Sequence, residues 1–326
     1  MELTPAPFFD DVANDAFCGP PGGAAWWVET SDDLRIRVGL WPAATDTARG
    51  TVLLFPGRSE YVEKYGQTAA ELAKRGFATL AIDWRGQGLA DRLLDDPRIG
   101  HVVSFPDYQK DIAAMLRAAR ALDLPRPFNL LAHSMGGTIG LRAVMEGLAV
   151  QACAFTGPMW GIYMSPLLRP FGTALAYGGP ALGFGERLPP NSSLDFYVLT
   201  QEFAGNVLTH DADMYVMIQD QLRAHMELGL GGPSLIWLRE SLSECKTLAG
   251  RASPDIPCIT FLGTDEAIVG KDAIRTRMQN WPRGTLDVVE NAHHEVLIET
   301  PDIRAHVFDR LEALFSGKSE AGTETV

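Results

Sequence analysis

The spacing of apolar and polar positions changes character twice along the chain. Residues 26–30 and 34–41 alternate and flank Ser31-Asp32-Asp33, the pattern of an antiparallel hairpin at the edge of a sheet. From residue 51 short continuous apolar runs take over. Those at 51–55, 77–82, 128–132 and 152–156 predict strands buried on both faces. Amphipathic stretches between them predict helices at 61–75, closed by Gly76, at 107–122, stopped by Pro125, and at roughly 135–147. Strands at 258–262 and 285–289 and helices at 272–280 and 300–315 follow later, the last helix with Pro301 in its first turn. Repeated strand–helix units of this kind build a mostly parallel sheet flanked by helices.

The alternation breaks between Pro158 and Leu248. Residues 159–185 are rich in Gly, Pro and apolar side chains, and Arg169 is their only charge. Helices are predicted at 194–202, 211–227 and 234–243. An insertion of about ninety residues is too long for a loop. It reads as a helical cap over the C-terminal edge of the sheet, where open α/β sheets bind ligands. The chain thus divides into a first core part, 1–157, a cap, 158–248, and a second core part, 249–326. Most of the cap's apolar surface packs on the core, and the remainder is expected to line a pocket for an apolar chain.

Composition narrows the function classes. The 326 residues are 46% hydrophobic and carry a formal net charge of −13, which argues against nucleic acid and against electrostatic docking on anionic membranes. The four cysteines show no short paired spacing and read as reduced, mostly buried thiols. Residues 1–15 lack a basic-then-apolar signal, and no purely apolar stretch reaches the ~18 residues of a transmembrane helix. A cytoplasmic protein is expected, with a polar tail at 317–326 that frays.

The candidate chemistry centres on Ser134. The strand at 128–132 meets the helix at 135 with no room for a loop, so Ser134 must sit on a sharp turn. Ala132 and Gly136 stand at the small positions of a G-x-S-x-G nucleophile elbow, with alanine in place of the first glycine. The pattern alone is weak, because serine is also a favoured helix cap. Three strand ends add to it. Gly57 lets the backbone pass close to a bound group, so the Arg58 N–H can join the Met135 N–H as an oxyanion pair. Asp265 or Glu266, after the strand that follows the cap, can orient a histidine. His293 or His294, after the last strand, can reach back over Ser134. The chain order is serine, acid, histidine.

These stretches resemble the branch of the α/β-hydrolases that holds bacterial lysophospholipases and monoacylglycerol lipases. The resemblance lies in Pro56-Gly57-Arg58-Ser59-Glu60-Tyr61 with Lys64-Tyr65, Asp83-Trp84-Arg85-Gly86-Gln87-Gly88, Ala132-His133-Ser134-Met135-Gly136-Gly137 and His294-Glu295-Val296-Leu297. Asn206-Val207-Leu208-Thr209 with Asp211 adds a match inside the cap. The family's His-Gly on the oxyanion loop is Pro56-Gly57 here. The resemblance implies Ser134 as nucleophile, His294 as base and Glu266 as acid. Glu266 follows from the loop register counted from Gly263 to Val269; Asp265 would need a shift of one residue. The stretch 83–88 is expected to be structural. A monoacyl lipid ester substrate is implied, with no metal or organic cofactor and with transient membrane contact through the cap. Another esterase, a thioesterase or a peptidase would keep the same triad, and a non-catalytic binding protein could keep the same scaffold.

Overall fold

The strands at the centre of the sheet have no polar face. In β4 (Gly50–Phe55), Val52 and Leu54 face one helical layer and Leu53 and Phe55 the other, each at most 1% exposed. β5 (Phe77–Asp83), β6 (Phe128–His133), β7 (Cys153–Thr156) and β8 (Cys258–Gly263) are likewise buried at every position. Burial on both sides is why these segments show continuous apolar runs. The computed structural model describes residues 3–10, 18–45, 47–165, 167–190 and 192–317. The frayed tail expected at 317–326 lies outside them but for Gly317.

β1 (Thr4–Ala6), β2 (Ala24–Glu29), β3 (Arg35–Trp41) and β9 (Gly284–Val289) complete a nine-stranded sheet. Its order is β1-β2-β3-β5-β4-β6-β7-β8-β9. Pairing is antiparallel from β1 to β5 and parallel from β5 to β9. The predicted hairpin is β2–β3, but it is not the outermost pair: β1 lies beyond it and is too short to show a period. The chain reverses its direction across the sheet between β4 and β6, whose C-terminal ends pair Phe55 with Ala132. Two loops that leave adjacent strand ends in opposite directions open a crevice there.

α1 (Gly66–Lys74) and α9 (Pro301–Phe315) cover one face through Ala69, Leu72, Val307, Phe308 and Leu311. α2 (Tyr108–Ala121), α3 (Ser134–Met145) and α8 (Lys271–Gln279) cover the other through Ile112, Met115, Ile139, Ile274 and Met278. The single helix predicted at 61–75 is a 3-10 turn, Val62–Tyr65, followed by α1.

Between β7 and β8 the chain forms α4 (Arg169–Ala181), α5 (Tyr197–Thr200), α6 (Ala212–Ala224) and α7 (Leu235–Ala249). α6 buries Met214, Met217, Ile218 and Leu222 against Tyr61 and Ile298 of the core. α7 starts on Ser234, whose hydroxyl accepts the Trp237 N–H at 3.0 Å, and outruns its predicted end by six residues. The segment predicted as a helix at 194–202 keeps only α5, because Ser193 and Asp195 close a local side-chain turn ahead of it. α4 has a poor intrinsic helix composition, and packing explains it: a Cβ on Gly179 would stand 2.6 Å from Leu235 Cδ1, so the glycine lets α4 and α7 approach closely. No described helix is long and apolar enough to cross a membrane.

Candidate active site

β6 ends at His133 and α3 begins at Ser134, so the turn has no residues of its own. Ser134 absorbs the bend with φ +49°, a left-handed conformation that a residue with a Cβ adopts only under tertiary constraint. A Cβ on Gly136 would stand 2.2 Å from the Phe55 carbonyl oxygen, which is why this elbow position admits glycine alone. Met135 is fully buried, and its N–H is among the first of α3, which have no intrahelical acceptor. Across the crevice, Gly57-Arg58-Ser59 leaves β4, and Ser59 is also left-handed at φ +65°. The loop is held from behind: Trp84 Nε1 donates to Pro56 O at 2.9 Å, and Gln87 Nε2 donates to Gly57 O at 2.8 Å and Glu60 O at 3.1 Å. The 83–88 stretch is therefore a brace. Asp83 accepts from Val62 N, Leu89 N and Arg37 Nε, and Arg85 is paired with Asp111 and Asp32.

Glu266 and His294 meet from the β8 and β9 loops. His294 Nδ1 lies 2.6 Å from Glu266 Oε2, and Glu266 Oε1 accepts from Ile268 N at 2.6 Å and Val269 N at 3.1 Å. Burial pushes the Glu266 carboxyl up, but His294 and the two amides outweigh it and hold the group below the ordinary glutamate value. Ser134, His294, Arg58 and Met159 line one cavity of about 350 Å³, which Ile162, Tyr197, Val198, Ile218, Leu222 and Trp237 close from above. The neighbours face elsewhere. Asp265 has a side chain 46% exposed, and His293 stacks on His210 with ring centroids 3.8 Å apart.

Lining the same cavity as Ser134 is a buried network that the sequence pattern did not assemble. Lys64 Nζ bridges Glu60 and Glu295, the latter at 2.6 Å, and Tyr65 OH and Gly57 N–H both donate to Glu60. His133 Nε2 stands 3.6 Å from Glu60 and 3.5 Å from Glu295, while Nδ1 lies 3.0 Å from Thr156 O. Burial lowers His133, but Glu295 and Glu60 reverse this and raise it above the ordinary histidine value. The network thus ties the loop after β4, the residue before Ser134 and the residue after His294 together through two carboxylates and one lysine. Asn206-Val207-Leu208-Thr209 anchors the insertion to the same place: Leu208 O accepts from Glu295 N at 2.9 Å, and Thr209 Oγ1 donates to Ile298 O at 2.7 Å.

A sheet of this order, a strand–turn–helix serine and a histidine–carboxylate pair on the last two strand ends define an α/β-hydrolase, and the chain is a serine ester hydrolase. It belongs to the family described as serine aminopeptidase, S33, whose profile matches residues 46–301. Lysophospholipase L2 of Escherichia coli is 33% identical over 295 residues, 84% of this chain and 82% of that protein. A probable lysophospholipase L2 of Haemophilus influenzae is 27% identical over 79% of this chain and 81% of its own length. Among solved structures, monoglyceride lipase of Saccharomyces cerevisiae superposes with a TM-score of 0.69 at 19% identity, covering 88% of this chain and 93% of the lipase. A carboxyl esterase of Bacillus coagulans gives a TM-score of 0.71 at 15% identity, covering 91% and 99%. At these identities the structural matches speak to fold alone.

Proposed function

We propose that the chain hydrolyses the ester of monoacyl lipids such as lysophospholipids or monoacylglycerols. The observation that carries this reading is the cavity, where Ser134 and His294 meet an apolar wall supplied by the insertion. A single acyl chain is the substrate class that such a wall desolvates. Similarity to the lysophospholipases of Escherichia coli and Haemophilus influenzae over most of the chain supports the same class.

In this mechanism Ser134 Oγ attacks the ester carbonyl and His294 Nε2 takes its proton. Glu266 holds Nδ1–H and balances the imidazolium, while the Arg58 and Met135 N–H groups receive the oxyanion. His294 returns the proton to the departing glycerol oxygen, leaving an acyl-Ser134 ester. Water, deprotonated by His294, then attacks that ester and releases the fatty acid. Residues 158–248 act as the cap. Leu167, Leu168, Phe171 and Leu182 of its outer face are 64–91% exposed, and this face rests on the lipid surface from which substrate enters. The test is fluorophosphonate labelling of wild type and Ser134→Ala, with hydrolysis of a panel of lysophospholipids, monoacylglycerols and short esters. Labelling and lipid turnover should both vanish in the variant, with a rate loss on the order of 10⁶-fold. Labelling without turnover of any lipid ester would overturn the substrate class.

A further inference from the structure

The cavity over Ser134 holds a cation with no counter-charge. The Arg58 guanidinium lies over the Trp237 ring at 5.4 Å, Nη1 donates to Ser59 Oγ at 3.0 Å, and Nη2 donates to Gly231 O. Nε is shut off from solvent and has no acceptor. Burial pulls the guanidinium down to about 10, so it stays charged at neutral pH. Other buried cations near the site are matched: Lys64 by Glu60 and Glu295, Arg37 by Glu63 and Asp83, Arg85 by Asp111 and Asp32. Arg92 and Arg277 also lack a carboxylate among the described residues, but carbonyl oxygens take their donors and neither lines this cavity.

A buried, unmatched charge is costly; the carboxylates that line the same cavity, Glu60 and Glu295, are engaged with Lys64 and His133, so the partner left for Arg58 is an anion carried by the ligand. The acyl chain offers none. In a monoacyl lipid the glycerol moiety carries the head group a few bonds from the scissile ester, and Arg58 lines the same cavity as Ser134. A guanidinium whose Nε–H has no acceptor suits a phosphodiester, whose oxygens can take two parallel N–H donors. The Glu60–Lys64–Glu295–His133 network cannot substitute, because its positive and negative groups already match one another.

We propose that Arg58 is the head-group phosphate site of this cavity and makes the enzyme select lysophospholipids over monoacylglycerols of the same acyl chain. The proposal rests on the lipid-ester reading above. The experiment compares kcat/KM for a lysophosphatidylcholine and a monoacylglycerol of equal chain length, both as monomers, in wild type, Arg58→Met and Arg58→Lys. Wild type should favour the lysophospholipid. Arg58→Met should lose roughly ten- to a hundred-fold more on the lysophospholipid than on the monoacylglycerol, chiefly in KM. Arg58→Lys should recover part of that preference. Equal losses on both substrates would reduce Arg58 to a tie between its loop and Gly231 and overturn the proposal. A second measurement needs no variant: a non-hydrolysable alkyl phosphocholine should inhibit wild type more strongly than the alkyl glycerol ether of the same chain. Equal inhibition would also overturn it. Failure to hydrolyse either lipid would instead remove the lipid-ester reading on which it stands.

Discussion

Glu266 and Asp265 are chain neighbours in opposite environments. The Glu266 side chain is closed to solvent and accepts three N–H donors, whereas Asp265 points outward beside His210. The register read from Gly263 and Val269 thus falls on the carboxylate that meets a histidine. Aspartate's commoner use in triads, a chemical average, would have chosen the exposed neighbour. Removing the charge of Glu266 without its shape leaves His294 unoriented and its imidazolium unbalanced. Glu266→Gln should lower kcat by roughly 10³- to 10⁴-fold, while Asp265→Asn should stay within a few-fold. The same contrast should separate the histidines, with His294→Ala nearly inactive and His293→Ala mildly affected. Steady-state kinetics on one monomeric ester decides both pairs, and the reverse ranking in either refutes its assignment.

At the scale of elements, one lysine and its two carboxylates join segments from three strand ends. Glu60 lies on the loop after β4, His133 ends β6, and Glu295 follows His294. Lys64→Met should destabilise the fold by about 3–5 kcal/mol, the range for removing one partner of a buried ion pair. It should also lower kcat, because both loops lose their common anchor. His133 gives the network a pH signature. Its folded value is raised above the ordinary 6.5, so its contribution to stability is full below that value and fades as pH rises through the folded one. Thermal midpoints measured from mildly acidic to alkaline pH should fall along this limb in wild type and flatten in His133→Gln; parallel curves would exclude the linkage. The apolar runs and the Ser134 turn were legible in the sequence because local pattern carries them. The network was not, since Lys64 and Glu295 stand 231 positions apart and only the sheet order brings them together.

At the scale of the molecule, the insertion was legible as a break in the strand–helix alternation, while its glycine-rich α4 was not, because packing on α7 rather than propensity makes that helix. The insertion presents two apolar surfaces. The inner one closes the cavity over Ser134 and should set acyl-chain preference. Each methylene buried there is worth up to roughly 0.8 kcal/mol, so kcat/KM on monomeric esters should climb by as much as about fourfold per added CH₂ until the cavity is filled. A flat series would show that the wall does not hold the chain. The outer surface carries Leu167 and Phe171, 91% and 66% exposed, on a chain of net charge −13. Contact with a lipid surface must then be apolar rather than electrostatic, because that charge repels anionic head groups. Sedimentation should therefore find the protein on zwitterionic vesicles, with binding that added salt does not weaken. A Leu167→Asp, Phe171→Asp double variant should stay in the supernatant, and its turnover of vesicle-borne lipid should fall relative to its turnover of a monomeric ester. Salt-sensitive binding, or an unchanged ratio in the double variant, would mean that this face of the insertion is not where the lipid surface is met.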